Sequence, residues 1–184
     1  VIFLATTGEE SGLLGSAHYA EHPAVPLADT VAAINMDAMN VIGRTRDVVV
    51  IGHGKSELED ILARKAAAQG RVTVPEPAPE QGFFYRSDHF NFAKLGVPAL
   101  YAEGGVDHVE KGAEWGKRQA RAYVENHYHK PSDEYRADWD LSGLAEDVSL
   151  LYEVGAELAN SQAWPNWYED AEFRAARESM RAPD

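Results

Sequence analysis

Two carboxylates stand side by side in the stretch Thr6-Thr7-Gly8-Glu9-Glu10-Ser11-Gly12-Leu13-Leu14-Gly15-Ser16. On a regular strand Glu9 and Glu10 would point to opposite faces, whereas in a turn both can address one cleft. One can then hold a metal ion while the other moves a proton on the water that the metal activates. That division of labour is the chemistry of metal-assisted hydrolysis. The pair also suits a helix N-terminus, where the dipole favours negative charge. Asp37 ends an apolar stretch, where a lone acid is either a turn or cap residue or a charge in need of a cation. A third cluster, His127-Tyr128-His129-Lys130-Pro131-Ser132-Asp133-Glu134, supplies imidazoles, the neutral nitrogen ligands that zinc favours. Either or both of His127 and His129 can face a metal, and Asp133 can orient a ligating ring. The competing reading is a polar surface loop.

Two further patterns have chemical letters without the right geometry. Ser87-Asp88-His89 spells a catalytic triad, but the side chains of three consecutive residues diverge along the backbone. No Gly-x-Ser-x-Gly elbow accompanies it. This stretch is read as a helix N-terminus whose polar groups tie down a loop, so Asp88 and His89 are supporting or structural residues. His18-Tyr19-Ala20-Glu21-His22 matches an inverted zincin motif, which needs both histidines on one continuing helix. Pro23 pushes His22 out of the helical region and spoils the spacing.

The elements that position these groups follow from hydrophobic pattern and punctuation. Val1–Ala5 reads as a buried strand, and Gly8 breaks it ahead of a helix that begins at Ser11. Thr30–Met36, Asp47–Ile51, Val72–Val74 and Val97–Tyr101 read as further strands. Ser56–Gln69 reads as a helix with a Ser56/Glu59 capping box, an apolar face of Leu58, Ile61 and Leu62, and Gly70 at C′. Ser87–Leu95 is a short helix that Gly96 ends. Gly104–Pro131 reads as a long irregular segment. Asp140 caps a helix running through Ala159, with Leu144, Val148, Leu151 and Leu158 on one face. Ala171–Met180 is a weakly amphipathic helix. Strands alternating with helices give an α/β layered fold. Open sheets of this kind place ligand crevices at the carboxyl ends of their strands, where Glu9, Glu10 and Asp37 lie.

Composition limits the function. The 184 residues suffice for one domain with a core, and 45% hydrophobic content excludes a disordered chain. Seventeen basic residues against 30 acidic give a net charge of −13, which argues against nucleic acid and suits a protein that attracts cations. With no cysteine, any metal must use His, Asp and Glu. No apolar run approaches the length of a membrane span. The start at Val1, within an apparent core strand, leads us to expect the C-terminal part of a longer protein: residues 1–160 as a catalytic domain lacking its N-terminal part, and 161–184 as a helical appendage.

Together, Gly8-Glu9-Glu10-Ser11-Gly12-Leu13-Leu14-Gly15-Ser16, Ile34-Asn35-Met36-Asp37, Arg86-Ser87-Asp88-His89 with Phe92, Gly96-Val97-Pro98-Ala99 and Tyr128-His129-Lys130-Pro131-Ser132-Asp133 carry a family likeness. They resemble the di-zinc aminopeptidases of peptidase clan MH, of the bacterial leucyl aminopeptidase and aminopeptidase Y type, to which glutamate carboxypeptidase II and glutaminyl cyclase are related. The resemblance implies a three-layer α/β/α sandwich with a mixed, mostly parallel sheet. It implies two zinc ions and removal of the N-terminal residue of a peptide or aminoacyl substrate. By it, Glu9 is the general base, Glu10 and His129 share one zinc, Asp37 binds the other, and Tyr128 donates to the developing oxyanion. It also implies an exported protein, periplasmic or secreted. The family places another His ligand and a bridging Asp upstream of the Glu-Glu pair, ahead of Val1. His53 and Asp47 lie on the wrong side of the motif to replace them. The chain alone is therefore expected to bind zinc weakly and to show little activity. Two alternatives remain: a non-catalytic binding domain of the same fold, and a glutaminyl-cyclase-like acyl transfer. Phe83, Phe84 and Tyr85 are either a hydrophobic pocket for the substrate's N-terminal side chain or core residues beneath a loop.

Overall fold

The computed structural model describes residues 1–181. The last three positions of the expected appendage lie outside the described residues. Four strands, β1 (Ala33–Asn35), β2 (Asp47–Val50), β3 (Val72–Pro75) and β4 (Ala99–Gly104), form one sheet in the order β1-β4-β2-β3. β1 runs parallel to β4 and β2 parallel to β3, while β2 and β4 are antiparallel with Val49 opposite Glu103. The sheet is thus mixed, with two of its three pairings parallel. Six helices surround it: α1 (Leu14–Glu21), α2 (Leu58–Ala68), α3 (His89–Ala93), α4 (Gly112–Asn126), α5 (Ser142–Ala159) and α6 (Arg174–Arg181).

The alternation of side chains along β4 divides the core into two layers. Leu100 and Ala102 meet Leu58, Leu62, Leu150 and Val154 of α2 and α5. Ala99 and Tyr101 face Phe84, Ala93, Trp167 and Phe173 on the other side. The result is the helix–sheet–helix layering expected from the sequence. Trp167 is fully buried and its indole N–H donates to the Gly96 carbonyl at 2.9 Å, so the C-terminal segment completes the second layer. No helix among the described residues is long and apolar enough to cross a membrane.

The ends of α2 and α5 follow their local sequence signals in part. α2 ends as expected: Gly70 has φ 74°, its N–H bonds the Ala67 carbonyl, and the Arg71 N–H reaches back to Ala66. These two bonds make a Schellman motif. At its start one half of the capping box forms, the Ser56 amide to the Glu59 carboxylate, and the other does not. The Glu59 carboxylate accepts from the amides of Gly54, Lys55 and Ser56, while the Ser56 hydroxyl turns to the Ala99 carbonyl at 3.4 Å. Asp140 does accept from the Ser142 amide at 3.0 Å at the start of α5. The buried face of that helix is Gly143, Asp147, Leu150, Leu151 and Val154, whereas Val148 is exposed.

Two expectations are corrected. Val1–Ala5 forms no strand, and Val1 and Phe3 are 96% and 92% exposed. An apolar run becomes a strand only where a neighbour accepts its hydrogen bonds, and β1 pairs here with β4 alone. The segment Gly104–Pro131 is not irregular throughout, because α4 occupies its middle, Gly112–Asn126. Its residues are good helix formers, Lys117-Arg118-Gln119-Ala120-Arg121-Ala122 among them, but the helix is exposed around most of its circumference. Gly112 and Gly116, poor residues within a helix, mask it in the sequence.

Candidate active site

Glu9 and Glu10 occupy a single 3₁₀ turn, Glu9–Ser11, ahead of α1. The chain enters and leaves it in left-handed conformations, Gly8 at φ 69° and Gly12 at φ 98°, which glycine adopts without cost. Leu13 follows at φ 60°, a conformation that costs a side-chain-bearing residue roughly 1–3 kcal/mol. Bonds from Leu13 N to Glu9 O (2.9 Å) and from Gly15 N to Thr7 O (2.8 Å) close the turn. The two carboxylates are therefore released from strand alternation, as one shared cleft requires.

α4 carries the chain back to this turn. Just beyond its end, His129 Nε2 lies 3.0 Å from Glu10 Oε1. The Tyr128 ring stacks on His129 with centroids 3.9 Å apart. His129 itself sits at φ 55°. His127 is not part of this meeting, since its Nδ1 is 3.2 Å from Ser132 Oγ. Asp133 does not reach His129 either: it accepts from the Tyr123 hydroxyl at 2.8 Å.

Asp37 follows β1 and is held by a directed chain of hydrogen bonds. Asn35 Nδ2 donates to Ser87 Oγ at 2.8 Å, and Ser87 Oγ donates to Asp37 Oδ2 at 2.5 Å. An ionised carboxylate only accepts, so the one Ser87 proton goes to Asp37 and Asn35 must present its NH₂ group. A second chain of the same composition begins one residue on. Asn91 Nδ2 donates to Ser16 Oγ at 2.8 Å, and Ser16 Oγ donates to Asp88 Oδ1 at 2.5 Å. The other oxygen of Asp88 accepts from Thr6 Oγ1 at 2.6 Å. Asp88 thus ties down both flanks of the Glu9–Glu10 turn. Ser87, Asp88 and His89 engage different partners, as expected of a helix start rather than a triad.

Burial raises the Glu9 carboxyl above the usual carboxylate range, and Asp37, Glu10 and Asp88 add to this, while His129 acts in the opposite sense. Burial likewise raises the Tyr128 phenol, Arg86 opposes it, and Glu10, Glu9 and Asp37 reinforce it. His89 is buried between Phe84 and Tyr101, with ring centroids 4.6 and 5.2 Å away. Burial pulls its imidazole down to about 4, so it is neutral at pH 7. Glu103, unremarked in the sequence, follows Tyr101 on the same face of β4. Its Oε2 is buried without a hydrogen-bond partner. Burial, with Asp37 and then Asp147, pushes this carboxyl up to about 7.

The remaining sequence candidates serve other ends. Phe84 is a core residue stacked on Phe173 at 5.8 Å. The Tyr85 hydroxyl donates to Glu172 at 2.6 Å, and Phe83 lies under the Arg86 guanidinium at 5.3 Å. His22 leaves α1 with φ −129°, and its ring stacks on His18 at 4.6 Å. Asp47 accepts the amides of Val106 and Asp107, and His108 Nδ1 accepts those of Glu110 and Lys111. His53 stands 3.8 Å from Glu59. Among the described residues, no three His, Asp or Glu side chains gather into one metal-binding group.

The model of peptidase family M28 matches residues 1–152. Among solved structures, the chain is similar to an aminopeptidase from Aneurinibacillus sp. strain AM-1, with a TM-score of 0.51 and 20% sequence identity. That likeness covers 81% of this chain and 31% of the other, so the chain spans about a third of that relative's length. At this identity the likeness is one of fold. No curated protein sequence matches the chain.

Proposed function

The chain belongs to peptidase family M28, and on that premise we propose that it carries a zinc-dependent aminopeptidase site built on Glu9, Glu10, Asp37, Tyr128 and His129. The observation that supports this reading is the approach of His129 Nε2 to Glu10 Oε1 beside the Glu9 carboxylate. An imidazole nitrogen and a carboxylate oxygen are donors that zinc accepts. Two such donors on one tetrahedral ion stand about 3.3 Å apart, close to the 3.0 Å separation found here. Glu10 and His129 therefore supply two of the donors that one zinc needs, with Asp37 available to a second.

Zinc at these residues would polarise the scissile carbonyl and acidify the attacking water. Glu9 takes the water's proton and passes it to the leaving amine, a role that a carboxyl raised above its ordinary range suits. The Tyr128 hydroxyl donates to the carbonyl oxygen as negative charge develops there. The stack against His129 keeps that hydroxyl beside the turn. The substrate class that follows is a peptide or aminoacyl compound with a free amino end.

The test is a zinc titration of the chain followed by an assay on an aminoacyl anilide. Glu10→Ala and His129→Ala should each weaken zinc binding at least tenfold. Glu9→Gln should keep zinc and lose hydrolysis. Zinc binding indifferent to both ligand substitutions would overturn the proposal.

A further inference from the structure

Two Asn–Ser–Asp chains meet at adjacent residues. Asn35→Ser87→Asp37 ends on one carboxylate of the site, and Asn91→Ser16→Asp88 ends on the group that ties down the Glu9–Glu10 turn. Ser87 belongs to the first and Asp88 to the second. Ser87 is 3% exposed, and its hydroxyl has no proton left for any other acceptor. We infer that Ser87 and Asp88 act as one bracket that sets the spacing between Asp37 and the Glu9–Glu10 turn.

The bracket follows from how little else joins the two sides. Asp37 lies in exposed chain beyond the three-residue strand β1, and the Glu9–Glu10 turn lies in partly exposed chain ahead of α1. The peptide bond between Ser87 and Asp88 is rigid. It transmits the placement of one carboxylate to the other without a direct contact between them. Ser87 also occupies one oxygen of Asp37 and leaves Oδ1 for a ligand, so Asp37 is directed to bind through a single oxygen. Asp88 has both oxygens occupied by Thr6 and Ser16 and is thereby committed to support.

This inference rests on the metal reading only for its first test. Cobalt(II), titrated into the chain as a coloured stand-in for zinc, reports affinity and coordination through its visible spectrum. Ser87→Ala should weaken cobalt binding about 10–100-fold and alter the spectrum. Ser87→Thr, which keeps the hydroxyl, should restore both. In an Asp37→Asn background Ser87→Ala should add no further loss, because Ser87 acts through Asp37. Amide hydrogen exchange supplies a test independent of metal. Ser87→Ala should quicken exchange in the segment Glu9–Gly15 as well as around Asp37, and Asp88→Asn should do the same in reverse. If the wild-type chain takes up no cobalt, the metal reading fails and exchange decides the bracket. Exchange changes confined to the mutated side, or equal losses in the alanine and threonine variants, would overturn it.

Discussion

His129 Nε2 and Glu10 Oε1 stand 3.0 Å apart, and both side chains remain open to solvent, at 48% and 69% exposure. A contact so exposed contributes about 0–1 kcal/mol, too little to bring two distant segments together. Something else must place them. For His129 it is α4, whose one buried residue is Gly116. For Glu10 it is the Gly8–Leu13 turn, held by Asp88.

Gly116→Ala tests the root of α4. A Cβ at this position would lie 2.0 Å from the Val106 carbonyl oxygen, so backbone must move. The substitution should shift α4 outward and weaken zinc binding about tenfold, read by competition with a chelator. Lys117→Ala, on the exposed face of the same helix, should leave affinity unchanged. Equal affinities for Gly116→Ala and the parent chain would show that His129 is placed by other means.

Glu103 should make stability fall as pH rises. Its folded carboxyl titrates at about 7 against an ordinary value of 4.5, so the folded chain retains a proton that the unfolded chain has already lost. The penalty grows from about pH 4.5, is complete above about pH 7, and is on the order of 3 kcal/mol. Glu103→Gln should therefore stabilise the chain against urea at pH 8, and the gain should vanish towards pH 4.5. A gain of the same size at both pH values would assign the effect to something other than this carboxyl.

Trp167→Ala should cost about 3–5 kcal/mol in urea unfolding, as expected when a large buried aromatic is deleted. Trp167→Phe keeps most of the packing and should lose about 1–2 kcal/mol, since the Gly96 carbonyl is left without its donor. A loss below 1 kcal/mol for the alanine variant would mark the C-terminal segment as dispensable to the fold.

Much of the frame was legible because its signals are local. The Gly70 stop, the Asp140 contact with Ser142 and the break at His22 need only neighbouring residues. The family letters pointed to Glu9, Glu10, Asp37 and His129 because these groups occur in recognisable strings. What stayed hidden depends on distant partners. Ser87 looked like part of a false triad until Asn35 and Asp37 were beside it. Glu103 is one acid among many until burial beside Asp37 and Asp147 changes its charge. Asp133 belonged with the histidines in sequence, yet Tyr123 claims it in space. α4 is hard to read because Gly112 and Gly116 stand within its first turns and suggest a loop.

The seating of Trp167 against Gly96 has a consequence for how the molecule is made. A ribosome delivers Glu9, Asp37, Ser87 and Asp88 well before Trp167 and Phe173 emerge. α3 is only five residues long and cannot persist as an isolated helix. Until the indole and the Phe173 ring cover its far side, the floor beneath Ser87 and Asp88 is unfinished. These carboxylates therefore acquire their final spacing from a segment made well after them, and the site matures only once that segment has emerged.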